Sequence, residues 1–111
     1  MDDCIFCKII NEEIESKILH KDEDVIAFND ISPQAPVHVL VVPREHSETL
    51  NTADSNTIQK CMNVAKELAV SLGIDEDGYR VVINCNKMGG QEVGHLHVHL
   101  LGGRQMKWPP G

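Results

Sequence analysis

The strongest constraint on the fold is the alternation of histidine with apolar residues in the segment His95–Leu101, which reads HLHVHLL. A β-strand turns successive side chains to opposite faces, so a strand here would place His95, His97 and His99 on one face and apolar side chains on the other. Three of the six histidines in the chain lie within these five positions. The pattern therefore predicts a strand with one face in the core and one face available for chemistry.

The histidine face has more than one interpretation. The span from His95 to His99 is about 13 Å at about 3.3 Å per residue, so the three imidazoles need not bind one atom and can divide their roles. The alternatives are a metal cage made from all three histidines and a solvated face on which histidine is incidental.

Four further segments have the character of strands or hairpins. The acidic trio 22–24 reads as the turn of a hairpin, and the β-branched run VHVLVV, closed by Pro43, reads as a central strand. The predicted strands are Ile18–Lys21, Val25–Asn29, Val37–Val42, Tyr79–Asn84 and His95–Leu101. Together with one long helix they predict an α+β domain with a five-stranded antiparallel sheet.

The long helix is predicted between a cap at Asp54 or Ser55 and a stop at Gly73. Its apolar residues recur at the spacing of one helical face. These residues are Ile58, Cys61, Met62, Ala65, Leu68, Ala69 and Leu72. The short apolar stretch Ile5–Ile10 is too brief to assign beyond a helical turn.

Length and composition favour one ordinary globular domain, residues 1–111, ending in a tail at 104–111. The chain has 111 residues, of which 41% are hydrophobic, and its mean hydropathy is −0.21. No apolar run approaches the roughly 20 residues of a membrane-spanning helix. The acidic start MDDCIFCKII does not resemble a secretory signal. We therefore expect a cytoplasmic protein without a membrane role.

The charge distribution argues against a nucleic-acid partner. The formal net charge is −7 and aromatic residues make up 4% of the chain, so a broad basic face and stacking platforms are both missing. Residues 1–30 contain nine acidic and three basic residues, whereas residues 31–111 contain eight and seven. An anionic small ligand remains compatible with the second part of the chain.

The chain resembles the histidine triad nucleotide-binding family, and within it the Hint branch. The resemblance rests on the histidine alternation, IFCKII, FNDISPQAPVHVLVVPREH, VVIN and GGQEVGHLHVHLLGGRQMKWPPG, which together cover nearly the whole sequence. It implies an HIT-like fold, a homodimer, and hydrolysis of purine nucleoside phosphoramidates, in which adenosine 5'-monophosphate is joined to an amine, through a nucleotidylated histidine. The alternatives are a dinucleoside polyphosphate hydrolase and a non-catalytic nucleotide-binding or scaffold dimer.

The resemblance also implies roles for three histidines. His97 corresponds to the nucleophile, and a neutral imidazole suits that role near pH 7 without a catalytic metal. His99 would donate a hydrogen bond to the phosphate or its bridging atom. His38 would orient the catalytic histidine, although a histidine between apolar residues is also commonly a satisfied core residue.

A purine nucleotide site follows from the same resemblance. Asp30 would accept hydrogen bonds from the ribose, although it also has the character of a turn-forming residue, and Gly90 could allow close approach to a phosphate or simply form a turn. Glu92 stands where many relatives carry serine, and an ionised carboxylate would repel the phosphate. The full predicted set is Phe6, Phe28, Asp30, Ile31, Asn84, Gly90, Gln91, Glu92, Val93, His97 and His99.

Four further residues are implied as ligands of a structural zinc ion. Cys4 and Cys7 form one CxxC pair, which supplies two of the four ligands that such a site requires. The resemblance adds His46, in Pro-Arg-Glu-His, and His95. The alternatives are a pair of buried or oxidisable thiols and a thioredoxin-like redox pair.

Overall fold

Five strands form one antiparallel sheet in the spatial order β1-β2-β3-β5-β4, in a computed structural model that describes residues 4–111. The strands are β1 Ile18–Lys21, β2 Val25–Asn29, β3 Val37–Pro43, β4 Tyr79–Val82 and β5 Val98–Gly102, and the helices are α1 Ile5–Ile10 and α2 Ser55–Ser71. The predicted fold class is confirmed, with a second, short helix at α1. Residues 1–3, part of the acidic start, lie outside the described residues.

The hairpin and the central strand form where the sequence predicted them. The Asp22 carboxylate accepts hydrogen bonds from the main-chain N–H groups of Asp24 and Val25, at 2.7 and 2.8 Å, and so closes the β1–β2 turn. Strand β3 pairs with β2 on one side and with β5 on the other. Its residues from 38 to 43 are all buried, as expected of a central strand.

The alternation along the strands divides the core into two layers. One face of the sheet, which includes Val25, Val39 and Val41, packs against α2. The other face, which includes Phe28 and Leu40, packs against α1. The sheet is therefore covered by a helix on each side, and the His38 side of β3 is the side that carries α1.

Helix α2 begins at the predicted cap. The Asp54 side chain accepts a hydrogen bond from the Asn56 N–H, and the helix ends just before Gly73, which has a φ of 73°. The buried residues of α2 are Cys61, Val64, Ala65, Leu68 and Ala69. Val64 was missed because it lies at the margin of the predicted face, and Leu72 is exposed at the helix end.

Two predicted strands are too long. Strand β4 ends at Val82 instead of Asn84, and β5 begins at Val98 instead of His95, so His95 and His97 precede the strand. The β3–β5 pairing stops at Val41 and Val98. Beyond that point the Pro43 carbonyl accepts a hydrogen bond from the His95 ring. Proline also has no N–H with which to extend the hydrogen bonding between β3 and β5. Neither helix in residues 4–111 is both long and apolar enough to cross a bilayer.

Candidate active site

A cavity of about 480 Å³ lies beside α1, the β2–β3 loop and the histidine segment. It brings together most of the residues that the sequence predicts for a nucleotide site. The predicted residues on its wall are Phe6, Phe28, Asp30, Ile31, His38, Asn84, Gly90, Glu92, Val93, His97 and His99. The sequence prediction missed other lining residues, among them Ser16, Gln34 and Leu40. Leu40 could have been found, because it shares a strand face with His38.

The ring of His97 is fixed by one hydrogen bond to the main chain. Its Nδ1 lies 2.7 Å from the carbonyl oxygen of His95, which can only accept a proton, so we assign the hydrogen to Nδ1. The Phe6 ring packs edge-on against the His97 ring, with 5.1 Å between centroids. The other ring nitrogen, Nε2, then carries a lone pair and can act as a nucleophile.

A chain of hydrogen bonds assigns the tautomers of His38 and His99. The main-chain N–H of Gln34 donates to His38 Nδ1 at 2.9 Å, so a neutral His38 carries its proton on Nε2. That nitrogen lies 2.9 Å from His99 Nδ1 and 3.4 Å from an Asp30 oxygen. The shorter contact identifies His99 Nδ1 as the main acceptor, which leaves the His99 proton on Nε2.

The Nε2 atom of His99 is buried and has no hydrogen-bond partner within the described residues. Burial, together with the neighbouring His97 and His38, lowers the pKa of His99 to about 4, although the Asp30 carboxylate offsets part of this effect. Burial also lowers the pKa of His38, although the Asp30 carboxylate offsets part of this effect. Both rings are therefore neutral near pH 7, and His99 presents an unused N–H donor at the cavity.

Asp30 lies at the start of the β2–β3 loop with one oxygen already engaged. Its Oδ1 accepts a hydrogen bond from the Ser32 N–H at 2.8 Å, which is the turn contact that the sequence suggested as an alternative. Its Oδ2 faces His38, and the residue also lines the cavity. The carboxylate is thus able both to hold the loop and to contact a ligand.

The loop after β4 contributes Asn84, Gly90, Glu92 and Val93 to the wall but not the side chain of Gln91. The Gln91 amide donates to the carbonyl oxygens of Glu48 and Val93, and its oxygen accepts from the Asn86 N–H at 2.9 Å. These contacts use the whole carboxamide. Gln91 therefore holds the loop in place instead of facing the cavity.

The two cysteines at α1 meet two histidines from distant parts of the chain. Ligand atoms of Cys4, Cys7, His46 and His95 all lie within 4.8 Å of one another. His95 Nδ1 is 3.3 Å from Cys4 Sγ and 3.5 Å from Cys7 Sγ, and His46 Nδ1 is 3.3 Å from Cys7 Sγ. The sequence-predicted ligand set therefore converges in space.

This cluster fits a tetrahedral metal ion by its chemistry and its spacing. His95 Nε2 donates to the Pro43 carbonyl at 2.8 Å, so its Nδ1 lone pair faces the thiols. Zinc bonds of about 2.3 Å to sulfur and about 2.0 Å to nitrogen give sulfur–nitrogen separations of about 3.5 Å at the tetrahedral angle. The observed distances are close to that value. Burial, together with the hydrogen bond to Cys4, raises the pKa of Cys7 to about 11, and a bound cation would reverse this effect.

Comparison with known proteins decides the family. The HIT domain profile matches residues 11–106 of the chain. The chain belongs to the HIT family. The crystal structure of an HIT family hydrolase from Legionella pneumophila Philadelphia 1 superposes with a TM-score of 0.95 at 48% identity, covering 98% of this chain and 100% of that one. A histidine triad protein from Clostridium difficile gives a TM-score of 0.92 at 43% identity, covering 96% of each chain.

Two curated HIT relatives have names that describe their properties. The purine nucleoside phosphoramidase of Escherichia coli K12 is 47% identical over 108 residues, covering 95% of this chain and 91% of its own. The 14 kDa zinc-binding protein of Zea mays is 51% identical over 112 residues, covering 96% and 87%. The predicted enzyme class is confirmed at the level of an HIT family hydrolase.

Proposed function

We propose that this hydrolase cleaves purine nucleoside phosphoramidates through a covalent nucleotidyl intermediate on His97. The observation that carries the proposal is the His97–His95 hydrogen bond, which leaves the Nε2 lone pair of His97 available in a cavity large enough for a nucleotide. The name of the E. coli relative supports the substrate class.

In the first step of the proposed reaction, His97 Nε2 attacks phosphorus and forms a nitrogen–phosphorus bond. The bond from phosphorus to the amine breaks, the departing nitrogen takes a proton from a water molecule, and the His99 Nε2–H donates a hydrogen bond to that nitrogen. In the second step the hydroxide left from that water attacks phosphorus and the bond to His97 breaks, which returns His97 to its neutral form. The products are a nucleoside monophosphate and an amine, so protons and atoms balance without a catalytic metal.

The cavity walls support a purine nucleoside as the bound group. Phe28 and Phe6 form an apolar pair with ring centroids 5.5 Å apart, while Ile31 is 93% exposed at the mouth and would be covered by a ligand. Asp30 would accept hydrogen bonds from the ribose hydroxyls. Asn84, Gly90 and Glu92 would lie near the phosphate or the amine, and Glu92 is the one ionisable residue of this group.

A structural zinc ion held by Cys4, Cys7, His46 and His95 is part of the proposal. Two thiolates and two imidazoles are a common ligand set for zinc, and the name of the maize relative supports the metal. The four free thiols of the chain suit a reducing compartment, which supports a cytoplasmic location.

A homodimer through β4 is also proposed. The sheet has two edges, β1 and β4, and the β1 edge is interrupted by a bulge between Ile18 and His20. The β4 edge pairs regularly with β5 on one side, and no strand in residues 4–111 pairs with its other side. Two copies could pair along this edge by a two-fold axis and extend the sheet. Size-exclusion chromatography with light scattering measures the mass of the protein in solution and tests this expectation.

The decisive experiment mixes the protein with an adenosine phosphoramidate that releases a chromophoric amine and quenches the reaction in acid. We expect a burst of amine and a peptide containing residue 97 that gains the mass of an adenylyl group. Diadenosine polyphosphates should react much more slowly. Faster cleavage of the polyphosphates would favour that hydrolase class, and the absence of turnover on both would favour a binding module.

A further inference from the structure

The β2–β3 loop, residues 30–36, contributes more residues to the cavity wall than its turn sequence suggests. Four of its residues line the wall: Asp30, Ile31, Ser32 and Gln34. The loop also supplies the Gln34 N–H, which fixes the proton on His38. Its internal bonds, from the Ser32 N–H to Asp30 and from the Gln34 amide to the Ser32 carbonyl, only fold the loop upon itself.

Arg104, which follows the end of strand β5, forms a hydrogen bond with this loop. Its Nε donates to the carbonyl oxygen of Gln34 at 2.9 Å, across 70 residues of sequence, and its Nη1 donates to the Gln105 carbonyl at 3.2 Å. Within residues 4–111, it is the one side chain from beyond the loop and β3 that forms a hydrogen bond with the loop.

The main chain beside Arg104 also lies against the loop. Gly103 has a φ of 88°, and a Cβ atom built there would lie 2.9 Å from the Pro36 Cβ. Only glycine permits this approach at this φ without strain. The packing holds the start of the C-terminal segment at the loop, so the guanidinium needs little rotamer freedom to reach Gln34.

We propose that Arg104 is a positioning residue that sets the tautomer of the hydrogen-bond donor His99 by holding the β2–β3 loop. The inference rests on the proposed function. While Arg104 holds the loop, the Gln34 N–H keeps the His38 proton on Nε2. His38 then donates this proton in a hydrogen bond to His99 Nδ1, so the His99 proton stays on Nε2, which has no hydrogen-bond partner within the described residues. With the loop released, His38 loses its main-chain donor and both rings can exchange tautomers. His99 would then present a lone pair, which cannot donate a hydrogen bond to a leaving amine.

The variants Arg104→Gln and Arg104→Lys test this role. Glutamine removes the charge and the fork of donors, while lysine keeps the charge but presents a single point donor. Both should raise KM for the adenosine phosphoramidate by about fivefold, because the loosened β2–β3 loop loses one contact with the ligand. Both should also lower kcat by about 10- to 100-fold, because the His99 N–H no longer faces the leaving group. Nitrogen-15 shifts of the imidazole rings should show a single tautomer of His38 and His99 in the parent and a mixture in the variants.

Arg80→Gln is the matched control. Arg80 Nη2 also donates to a main-chain carbonyl, that of Lys107 at 3.0 Å, but it holds the C-terminal tail and not the loop. Arg80 lies on β4, but pairing along that edge uses main-chain groups that the substitution leaves in place, so this variant should keep both tautomers and kcat close to the parent. If Arg80→Gln changed the tautomers as strongly as Arg104→Gln, the tail and not the loop would be responsible, and the proposal would be wrong.

The tautomer readout needs no turnover, so it separates this inference from the proposed function. A parent that forms no nucleotidyl intermediate, together with a tautomer mixture in Arg104→Gln, would refute the function and support the positioning role. A parent that forms the intermediate, together with unchanged tautomers and unchanged kcat in both Arg104 variants, would overturn the positioning role alone.

Discussion

The Nδ1 atom of His97 lies 2.7 Å from the main-chain oxygen of His95, so the residue that carries the candidate nucleophile is oriented by a residue that faces the thiol cluster. The two histidines are two positions apart in the sequence but face different sites. Because His95 also bonds to Pro43 at 2.8 Å, its position is set by β3, and β3 thereby helps to orient His97. We therefore expect mutations to separate the functions of the two sites.

Replacement of His97 by asparagine should abolish the covalent intermediate. The change removes the attacking nitrogen, so we expect kcat to fall by about 10⁴-fold or more, while adenosine 5'-monophosphate still binds. Acid quench and mass analysis measure the first effect and calorimetry measures the second. Retention of the burst in this variant would exclude His97 as the nucleophile.

Replacement of His99 by asparagine should have a smaller effect. It removes the ring N–H donor but not the nucleophile, and we expect a loss of about 10² to 10⁴ in kcat. The adenylylated peptide should still form with a substrate whose leaving group needs no proton. A loss equal to that of His97→Asn on such a substrate would argue against the donor role.

Replacement of Asp30 by alanine should act mainly on binding. The ribose contact would be shared by the ground state and the transition state, so KM should rise with a smaller change in kcat. Ser32→Ala is a suitable control, because the Ser32 contact with Asp30 is made by its main-chain N–H and survives the change. If Asp30→Ala left both parameters unchanged, the ribose assignment would be wrong.

Replacement of both Cys4 and Cys7 by alanine should remove the metal and lower the melting temperature. Metal analysis of the parent, purified without chelator, should give about one zinc ion per chain. The melting temperature should fall more than the rate of the chemical step, because His95 still has the Pro43 carbonyl to hold its ring. Cys61→Ala, in the α2 core, is the control for a lost thiol without lost metal. A metal content near zero in an active parent would refute the zinc site.

Stability should fall as the pH drops from about 6.5 towards 4. The folded-state pKa of His99 is lowered to about 4, chiefly by burial, so between these pH values the unfolded chain binds the proton more strongly than the folded chain does. Comparison of the Cys4→Ala, Cys7→Ala variant with the same variant carrying His99→Asn isolates this effect from metal loss. Urea unfolding at several pH values should show a shallower pH slope in the His99→Asn chain, and equal slopes would contradict the prediction.

Replacement of Gly89 by alanine should displace the loop that carries Gly90 and Gln91. A Cβ atom at Gly89 would lie 2.5 Å from the Cys85 carbonyl oxygen and 2.8 Å from the Cys85 nitrogen, both of which are main-chain atoms. We expect a loss of about 1–3 kcal/mol in stability, measured by urea unfolding. Gly94→Ala is the matched control, because a Cβ atom there meets nothing within 4 Å. Equal stability of the two variants would show that the loop yields without cost.

The sequence by itself determined the elements whose signal is local. The run VHVLVV predicted the position of β3, and the apolar spacing together with Asp54 predicted the position of α2. The histidine alternation identified His97 and His99 as candidate site residues. The cysteine pair and the histidines at 46 and 95 came from motif resemblance, and the fold brings their side chains together.

Only the tertiary structure decided the contacts between distant segments. The hydrogen bond from His95 to Pro43 ends the predicted histidine strand early. The hydrogen bonds of Gln91 with Glu48, Asn86 and Val93 keep this predicted site residue out of the cavity. The proton positions on His38 and His99 depend on one Gln34 N–H, and the loop that supplies this group is held by Arg104. Periodicity reports which face a side chain occupies, but a hydrogen bond between segments depends on register and loop path, which no local pattern contains.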